Sequence, residues 1–114
     1  YTLLYFYSTN CSHCDREMGE LKKDFFPKYK DKGLKVITVN TGTDIEAWKN
    51  FMGNHEMEGE GWHNLFDPNF SSQYWLKFDV SATPSLYFLD KEKKILAKKI
   101  DLENLELYLS KVLN

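Results

Sequence analysis

An uninterrupted apolar segment near the start of the chain constrains the fold more than any other feature. Residues Thr2 to Tyr7 have the sequence TLLYFY, in which polar and apolar side chains do not alternate. A strand with one face in water does alternate, so this run indicates a strand buried on both faces, as in the interior of a parallel sheet. Helices must then cover the sheet, and the segment predicts an α/β fold with helices on both faces.

The next segment has the period of a helix. Its apolar residues are spaced four, three, four and four apart, and polar residues lie off that face. Pro27 is predicted to kink or end this helix, and Gly33 to stop the chain from continuing it. Residues Leu34 to Val39 are rich in β-branched side chains and predict a second strand, parallel to the first. The apolar positions of the helix are Cys14, Met18, Leu21, Phe25 and Tyr29.

The second half predicts a mixed sheet. Thr43 and Glu46 fit a capping box that would open a second helix, with an apolar stripe formed by Ile45, Trp48 and Phe51 or Met52. The glycine-rich, acidic residues 53–61 predict a solvated connection. The later elements are predicted as a short strand at Trp62–Phe66, a short helix at Ser71–Lys77, a hairpin of Ser85–Leu89 and Ile95–Ile100, and a last helix capped by Asp101.

Length and charge restrict the function. The chain has 114 residues, enough for one domain, and a net charge of −2 argues against nucleic acid or an anionic membrane as a partner. No apolar run approaches the ~20 residues of a membrane span, so this segment is not expected to insert into a membrane. The chain opens at Tyr1 without a signal peptide, and we expect one domain (1–114) taken from a longer protein.

The two cysteines, Cys11 and Cys14, carry the most chemical information. They are too close to form a disulfide scaffold, and a structural zinc site commonly needs a second cysteine pair, which is absent. Both lie where the buried strand meets the helix, whose N-terminus stabilises a thiolate. Cys11 would be the exposed nucleophile, and Cys14, deeper on the apolar face, would resolve the mixed disulfide.

Two neighbouring residues could tune this pair. A protonated His13 would favour the Cys11 thiolate and the reduced form, although an exposed histidine without a role fits the sequence as well. Glu17 lies about one helical turn after Cys14 and could accept its proton, although a solvated glutamate is equally consistent with this spacing.

Thr83-Pro84 precedes the SLYFL strand. A cis bond there would let the Thr83 backbone pair with a partner peptide, while a trans bond is the ordinary expectation.

Together these motifs resemble the thioredoxin superfamily. The segment CSHCDREM, with Glu17 three residues after the second cysteine, is most similar to TlpA/ResA-like thiol–disulfide oxidoreductases, and DVSATPSLYFLDKEKKIL resembles their segment around a cis-proline. The resemblance implies a thioredoxin-like three-layer αβα sandwich with a mixed central sheet. It also implies that Cys11 is the nucleophile, Cys14 the resolving thiol, Glu17 the active-site glutamate and Pro84 a cis-proline next to a substrate-pairing Thr83.

The resemblance also suggests a setting. Such proteins are typically bacterial, periplasmic or otherwise extracytoplasmic, and exchange electrons with protein thiols and disulfides and with an upstream electron donor or acceptor. We expect a monomer without cofactor or metal. Asn10 stands directly before the first cysteine, where thioredoxins usually have tryptophan, and the first strand lacks their buried aspartate. A histidine as the second residue between the cysteines, His13, resembles the motif of oxidising DsbA-type proteins. Because members of the resembled family commonly reduce disulfides, a reductant is favoured, and His13 leaves an oxidising role as the alternative.

Two other classes of protein remain as alternatives. A thioredoxin-fold module that binds partners without turnover would not need both cysteines. A peroxidase of the peroxiredoxin kind would need a Thr-x-x-Cys context, whereas Ser8 stands three residues before Cys11.

Overall fold

The computed structural model describes residues 1–113, which form a five-stranded mixed sheet with strand order β3-β2-β1-β4-β5. The central strand β1 pairs in parallel with β2, and β2 pairs in parallel with β3; β4 lies antiparallel to β1, and β5 antiparallel to β4. The strands are β1 (Thr2–Tyr7), β2 (Lys35–Asn40), β3 (Trp62–Phe66), β4 (Ser85–Leu89) and β5 (Ile95–Lys98).

Helices cover both faces, as the apolar first strand predicts. All six residues of β1 are buried. Leu3, Tyr5 and Tyr7 belong to the larger core, which also contains buried residues of α1, α3 and α5. Leu4 and Phe6 belong to a smaller core with Tyr74 of α4 on the opposite face. The helices are α1 (Ser12–Glu20), α2 (Phe26–Tyr29), α3 (Ile45–Asn54), α4 (Tyr74–Lys77) and α5 (Leu102–Val112).

The first helical segment continues past Pro27, so of the two predicted effects of this proline, a kink or an end, the end is wrong. A π-helical turn at Leu21–Phe25 connects α1 to α2, and the Phe26 N–H donates to the Leu21 carbonyl oxygen. Pro27 has no backbone N–H to donate, and the wider turn before it lets the helical path continue. Pro27 therefore lies in the first turn of α2 rather than ending the helix. A 3₁₀ turn then leads to Gly33, whose φ of +94° ends the helix as predicted. The five predicted apolar positions of this helical segment are all buried.

Two predicted helix starts are wrong. Asp44, rather than Thr43, caps α3, because its carboxylate accepts hydrogen bonds from the backbone N–H groups of Glu46 and Ala47. The helix predicted from Ser71 begins only at Tyr74, because the Asp67 carboxylate binds the N–H groups of Ser71 and Ser72 in a turn.

Three smaller expectations also need correction. Ile45 lies outside the apolar stripe of α3 and is 48% exposed. The segment 53–61 is not wholly solvated, because Met57 is buried in the larger core. The strand predicted to reach Ile100 ends at Lys98, and Lys99 turns the chain with a φ of +50°. In the part of the chain described by the structure, no helix is long and apolar enough to cross a membrane.

Candidate active site

Cys11 and Cys14 lie where β1 passes into α1. Cys11 is the N-cap of the helix in an extended conformation (φ −104°, ψ 111°), and its Sγ accepts a hydrogen bond of 3.1 Å from the Cys14 N–H. A sulfur here occupies the place of the oxygen that usually caps a helix, beside N–H groups that lack partners within the helix. The same position stabilises negative charge, so it favours a thiolate at Cys11 in the reduced form.

The two sulfurs form a disulfide and differ in access. Their Cα atoms are 5.2 Å apart, within the usual range for a disulfide. Cys14 is completely buried on the apolar face of α1, whereas Cys11 is partly exposed. An incoming sulfur can therefore reach Cys11 but not Cys14. The difference follows from the helical period, because Cys14 belongs to the stripe of Met18 and Leu21.

The Thr83-Pro84 segment lies against this disulfide. The peptide bond between the two residues is cis, and the Thr83 carbonyl oxygen lies 3.7 Å from Cys11 Sγ. The sheet explains this contact: Ser85 at the start of β4 pairs with Phe6 near the end of β1. The residues before Ser85 consequently meet those after Tyr7, although 72 positions separate Cys11 from Thr83.

Glu17 is a buried carboxylate beside this centre. The residue is 6% exposed, and its Oε1 accepts a hydrogen bond of 2.9 Å from the Tyr5 hydroxyl. Burial raises the pKa of the Glu17 carboxyl above its ordinary value; the Tyr5 hydroxyl and, to a smaller extent, His13 oppose this shift. A carboxylate with a raised pKa is a better proton acceptor for a thiol than a solvated one.

His13 has a different neighbour from the one expected. Its side chain is 58% exposed, and Nε2 lies 3.7 Å from Oε2 of Glu17. The structure thus places the imidazole near the glutamate, one helical turn further along α1. When protonated, the ring favours the Glu17 carboxylate, in addition to any effect on the Cys11 thiolate.

A cavity of about 160 Å³ connects these residues to the surface. Glu17 and His13 line one side, and Pro84 and the start of β4 line another. The buried carboxyl group therefore has a route to solvent next to the cis-proline. The other lining residues come from the loop before Pro84, from β4 and from the turn between β5 and α5: Ser81, Ala82, Ser85, Leu86, Lys99, Ile100 and Asp101.

Two contacts at the site escaped the sequence analysis. The sequence predicts Tyr5 only as part of the buried strand β1, yet its hydroxyl donates a hydrogen bond to Glu17. The signal was a tyrosine within a fully apolar strand, because a buried hydroxyl needs a partner. His55, from the segment expected to be solvated, lies 2.7 Å (Nε2) from the Asp15 carboxylate in the first turn of α1. No local pattern links these two elements. Within residues 1–113, no group of three or more His, Cys, Asp or Glu side chains is arranged to hold a metal ion.

Comparisons with known proteins agree with this geometry. A family model described as thioredoxin-like matches residues 1–95. The thiol-disulfide oxidoreductase ResA of Bacillus cereus is 29% identical over 112 residues, covering 96% of this chain and 61% of the relative. The chain thus spans less than two thirds of the length of that curated protein.

Solved structures show the same fold. A domain of a possible thiol-disulfide isomerase from Cytophaga hutchinsonii is 35% identical, with a TM-score of 0.84 over 97% of this chain and 74% of that one. A thiol-disulfide oxidoreductase from Bacteroides fragilis is 26% identical, with a TM-score of 0.84 over 99% of this chain and 81% of that one. With its mixed sheet and its disulfide at a helix N-terminus, the chain belongs to the thioredoxin-like family and is a TlpA/ResA-like member of it.

Proposed function

We propose that this chain is a thiol–disulfide oxidoreductase that reduces disulfides in partner proteins through Cys11 and Cys14. One observation carries the proposal: a disulfide at a helix N-terminus joins a partly exposed sulfur to a completely buried one. The similarity to proteins named as thiol-disulfide oxidoreductases supports it. A purely structural disulfide over so short a loop would contribute little to stability, so redox chemistry accounts for the pair better.

The proposed cycle has two exchange steps. In the reduced protein, the Cys11 thiolate attacks one sulfur of the partner's disulfide. The other partner sulfur leaves with the electron pair of the broken bond and takes a proton from solvent. Cys14 then gives its proton to Glu17, and its thiolate attacks Cys11 Sγ. The mixed disulfide breaks, and the partner's second thiolate is released. The partner has gained two electrons, which an upstream donor must return to the Cys11–Cys14 pair.

Thr83 and Pro84 are proposed to bind the partner. The Thr83 carbonyl oxygen, next to Cys11 Sγ, is positioned to pair with the backbone of an extended peptide that carries the reacting cysteine. His13 is proposed to tune the pair from the exposed side of α1. We further propose a monomer that acts outside the cytoplasm, where disulfides persist, in line with the TlpA/ResA-like resemblance.

The thiolate at Cys11 gives the first test. We expect the pKa of Cys11 in a Cys14→Ala variant to lie below the free-thiol value of about 8.5, because the helix N-terminus stabilises the charge. The measurement is the rate of alkylation by iodoacetamide as a function of pH. The same variant unfolded in urea is the control, and it should show the ordinary midpoint. Equal midpoints in the folded and unfolded protein would contradict the proposed activation of Cys11.

The reduction potential tests the direction of electron flow. We expect a value between about −270 and about −120 mV, the potentials of thioredoxin and DsbA. The resembled family favours a reducing protein, whereas a protonated His13 favours the dithiol and so makes the disulfide more oxidising. Equilibration with glutathione at fixed pH gives this number. A His13→Ala variant should become more reducing; a potential outside the interval, or a His13→Ala variant that is more oxidising, would refute this expectation.

A binding module without turnover is the competing function. It predicts that a protein with both cysteines replaced by serine binds its partner as well as the wild type does, and that the wild type reduces no disulfide. Reduction of insulin disulfides by the wild type in the presence of dithiothreitol, above the rate of dithiothreitol alone, separates the two functions.

A further inference from the structure

Tyr5 is placed to control the Glu17 carboxylate. It lies in the middle of β1, is completely buried, and belongs to the core that includes Cys14 and Met18 of α1. Its hydroxyl donates the hydrogen bond of 2.9 Å to Glu17 Oε1 across a separation of 12 residues. Burial and the neighbouring carboxylate raise the pKa of Tyr5 strongly. Tyr5 consequently keeps its proton and remains a donor at every pH at which thiol exchange occurs.

The two oxygens of Glu17 have different surroundings. Oε1 accepts a hydrogen bond from the buried Tyr5 hydroxyl, whereas Oε2 lies 3.7 Å from Nε2 of the exposed His13 ring. Because a hydrogen bond to the ionised form stabilises it, the Tyr5 hydroxyl offsets part of the cost of burying this carboxylate. A fixed Oε1 also fixes the plane of the carboxyl group. Tyr5 thus favours the ionised form of Glu17 and restrains the orientation of its carboxyl group.

We propose that Tyr5 is a positioning residue for thiol exchange, whose hydroxyl holds Glu17 in the orientation and the ionised state that accept the proton of Cys14. The inference deepens the proposed function, since it specifies how the Glu17 base is prepared. In the step concerned, the proton moves from Cys14 Sγ to the Glu17 carboxylate. The Cys14 thiolate then attacks Cys11, and the mixed disulfide breaks. Tyr5 keeps its own proton throughout, so it adds no charge to the balance.

The other groups around Glu17 act on it more weakly than Tyr5 does, including the backbone N–H of Leu102 on α5. Lys99 pairs with Asp79 at 3.0 Å, and the Asp101 carboxylate is engaged in capping α5. His13 approaches only the second oxygen, from a mostly exposed position. The charged and polar groups that act on the carboxyl group are Tyr5 on β1, His13 and Glu20 on α1, and the backbone of Leu102 on α5, with Lys99 and Asp101 lining the adjacent cavity.

Tyr7 offers a matched control. It lies on the same strand and in the same core as Tyr5 and is equally buried. The groups that affect its hydroxyl are the side chains of Trp48 and Thr38, not Glu17. Tyr5→Phe and Tyr7→Phe each remove one buried hydroxyl, but only the first removes a donor to Glu17.

The first test is a ¹³C NMR titration of the Glu17 carboxyl in the disulfide form, in which the cysteines do not titrate. We expect Tyr5→Phe to move the midpoint to a higher pH by about one unit, a tenfold change in the proton affinity of the carboxylate, and Tyr7→Phe to leave it unchanged. An unchanged midpoint in Tyr5→Phe, or an equal shift in both variants, would overturn the inference. This titration is independent of whether the protein exchanges disulfides.

The second test measures the rate at which Cys14 resolves a preformed mixed disulfide on Cys11. Tyr5→Phe should move the pH dependence of this rate to higher pH. In a protein that already carries Glu17→Gln, it should cause no further slowing. Equal slowing in both backgrounds would show a general structural effect and overturn the inference. A wild type that resolves no mixed disulfide would instead refute the proposed function, while the titration still tests Tyr5.

A measurement on the wild type covers the case in which Tyr5→Phe does not fold. The Tyr5 hydroxyl proton should exchange slowly with solvent, and its NMR signal should shift as Glu17 titrates. Fast exchange, or a signal that does not follow Glu17, would overturn the inference.

Discussion

Replacing Cys11 by serine is expected to reduce the rate of insulin disulfide reduction to that of the uncatalysed reaction. A serine hydroxyl is not ionised near neutral pH, so it cannot replace the thiolate that attacks the partner's disulfide. Cys14 cannot substitute for Cys11, because it is completely buried. The measurement is turbidity of reduced insulin with dithiothreitol as the electron donor.

Cys14→Ser is the informative companion variant. It keeps the nucleophile but removes the resolving thiol, so a covalent adduct with the partner should accumulate and appear as a dithiothreitol-sensitive band on a non-reducing gel. Cys11→Ser should form no such adduct. An adduct that forms equally on either variant would contradict the division between an accessible and a buried sulfur.

Glu17→Gln is expected to make the protein less active but more stable. The variant removes the proton acceptor for Cys14, and general-base effects of this kind are typically worth about 10²-fold or more in rate. We expect a loss of this size in the resolution of the mixed disulfide near neutral pH, measured by stopped-flow mixing. The attack by Cys11 should change much less, because the helix N-terminus rather than Glu17 stabilises its thiolate.

The stability effect follows from the raised pKa of Glu17. Between its ordinary value and the higher folded value, the folded protein binds more protons than the unfolded chain, so the free energy of unfolding falls as pH rises through this window. A neutral glutamine removes this loss and can still accept the Tyr5 hydrogen bond. The Tm of Glu17→Gln should therefore exceed that of the wild type by a few degrees at neutral pH, with a smaller difference below the window.

Glu20→Gln is the matched control. It makes the same chemical change on the same helix, at an exposed position outside the cavity next to Pro84, and its charge is the weakest of the influences on the Glu17 carboxyl. Its activity and its Tm should stay close to wild type. If Glu17→Gln resolves the mixed disulfide as fast as Glu20→Gln does, Glu17 is not the base.

Local patterns predicted most of the elements because each pattern lies within one stretch of chain. The unbroken apolar run identified β1 as a fully buried strand, and the helical spacing from Cys14 to Tyr29 identified five buried positions. Errors arose where a nearby side chain competed for the same backbone groups. Asp44 displaced Thr43 as the cap of α3, and Asp67 kept Ser71 and Ser72 out of α4. Which residue caps a helix, and therefore where the helix begins, depends on small differences between adjacent residues.

Among the site residues, the spacing in the sequence was enough to place only Cys11 and Cys14, at the start of a helix. The helical period makes Cys14 the deeper sulfur, and Glu17 lies one turn further along the same helix. Whether Glu17 was solvated or buried was not decided by that spacing. The answer depended on Tyr5, which packs against α1 from the sheet and supplies a donor at 2.9 Å.

The amino-acid sequence by itself determined the α/β class, the first buried strand and the placement of two cysteines at the start of a helix, since each is encoded by neighbouring residues. Only the tertiary structure decided which distant groups surround that pair. The antiparallel register of β1 and β4 brings Thr83 to Cys11, and the packing of α1 on β1 brings Tyr5 to Glu17. Such contacts depend on strand order, register and helix packing, which no single segment of the chain specifies.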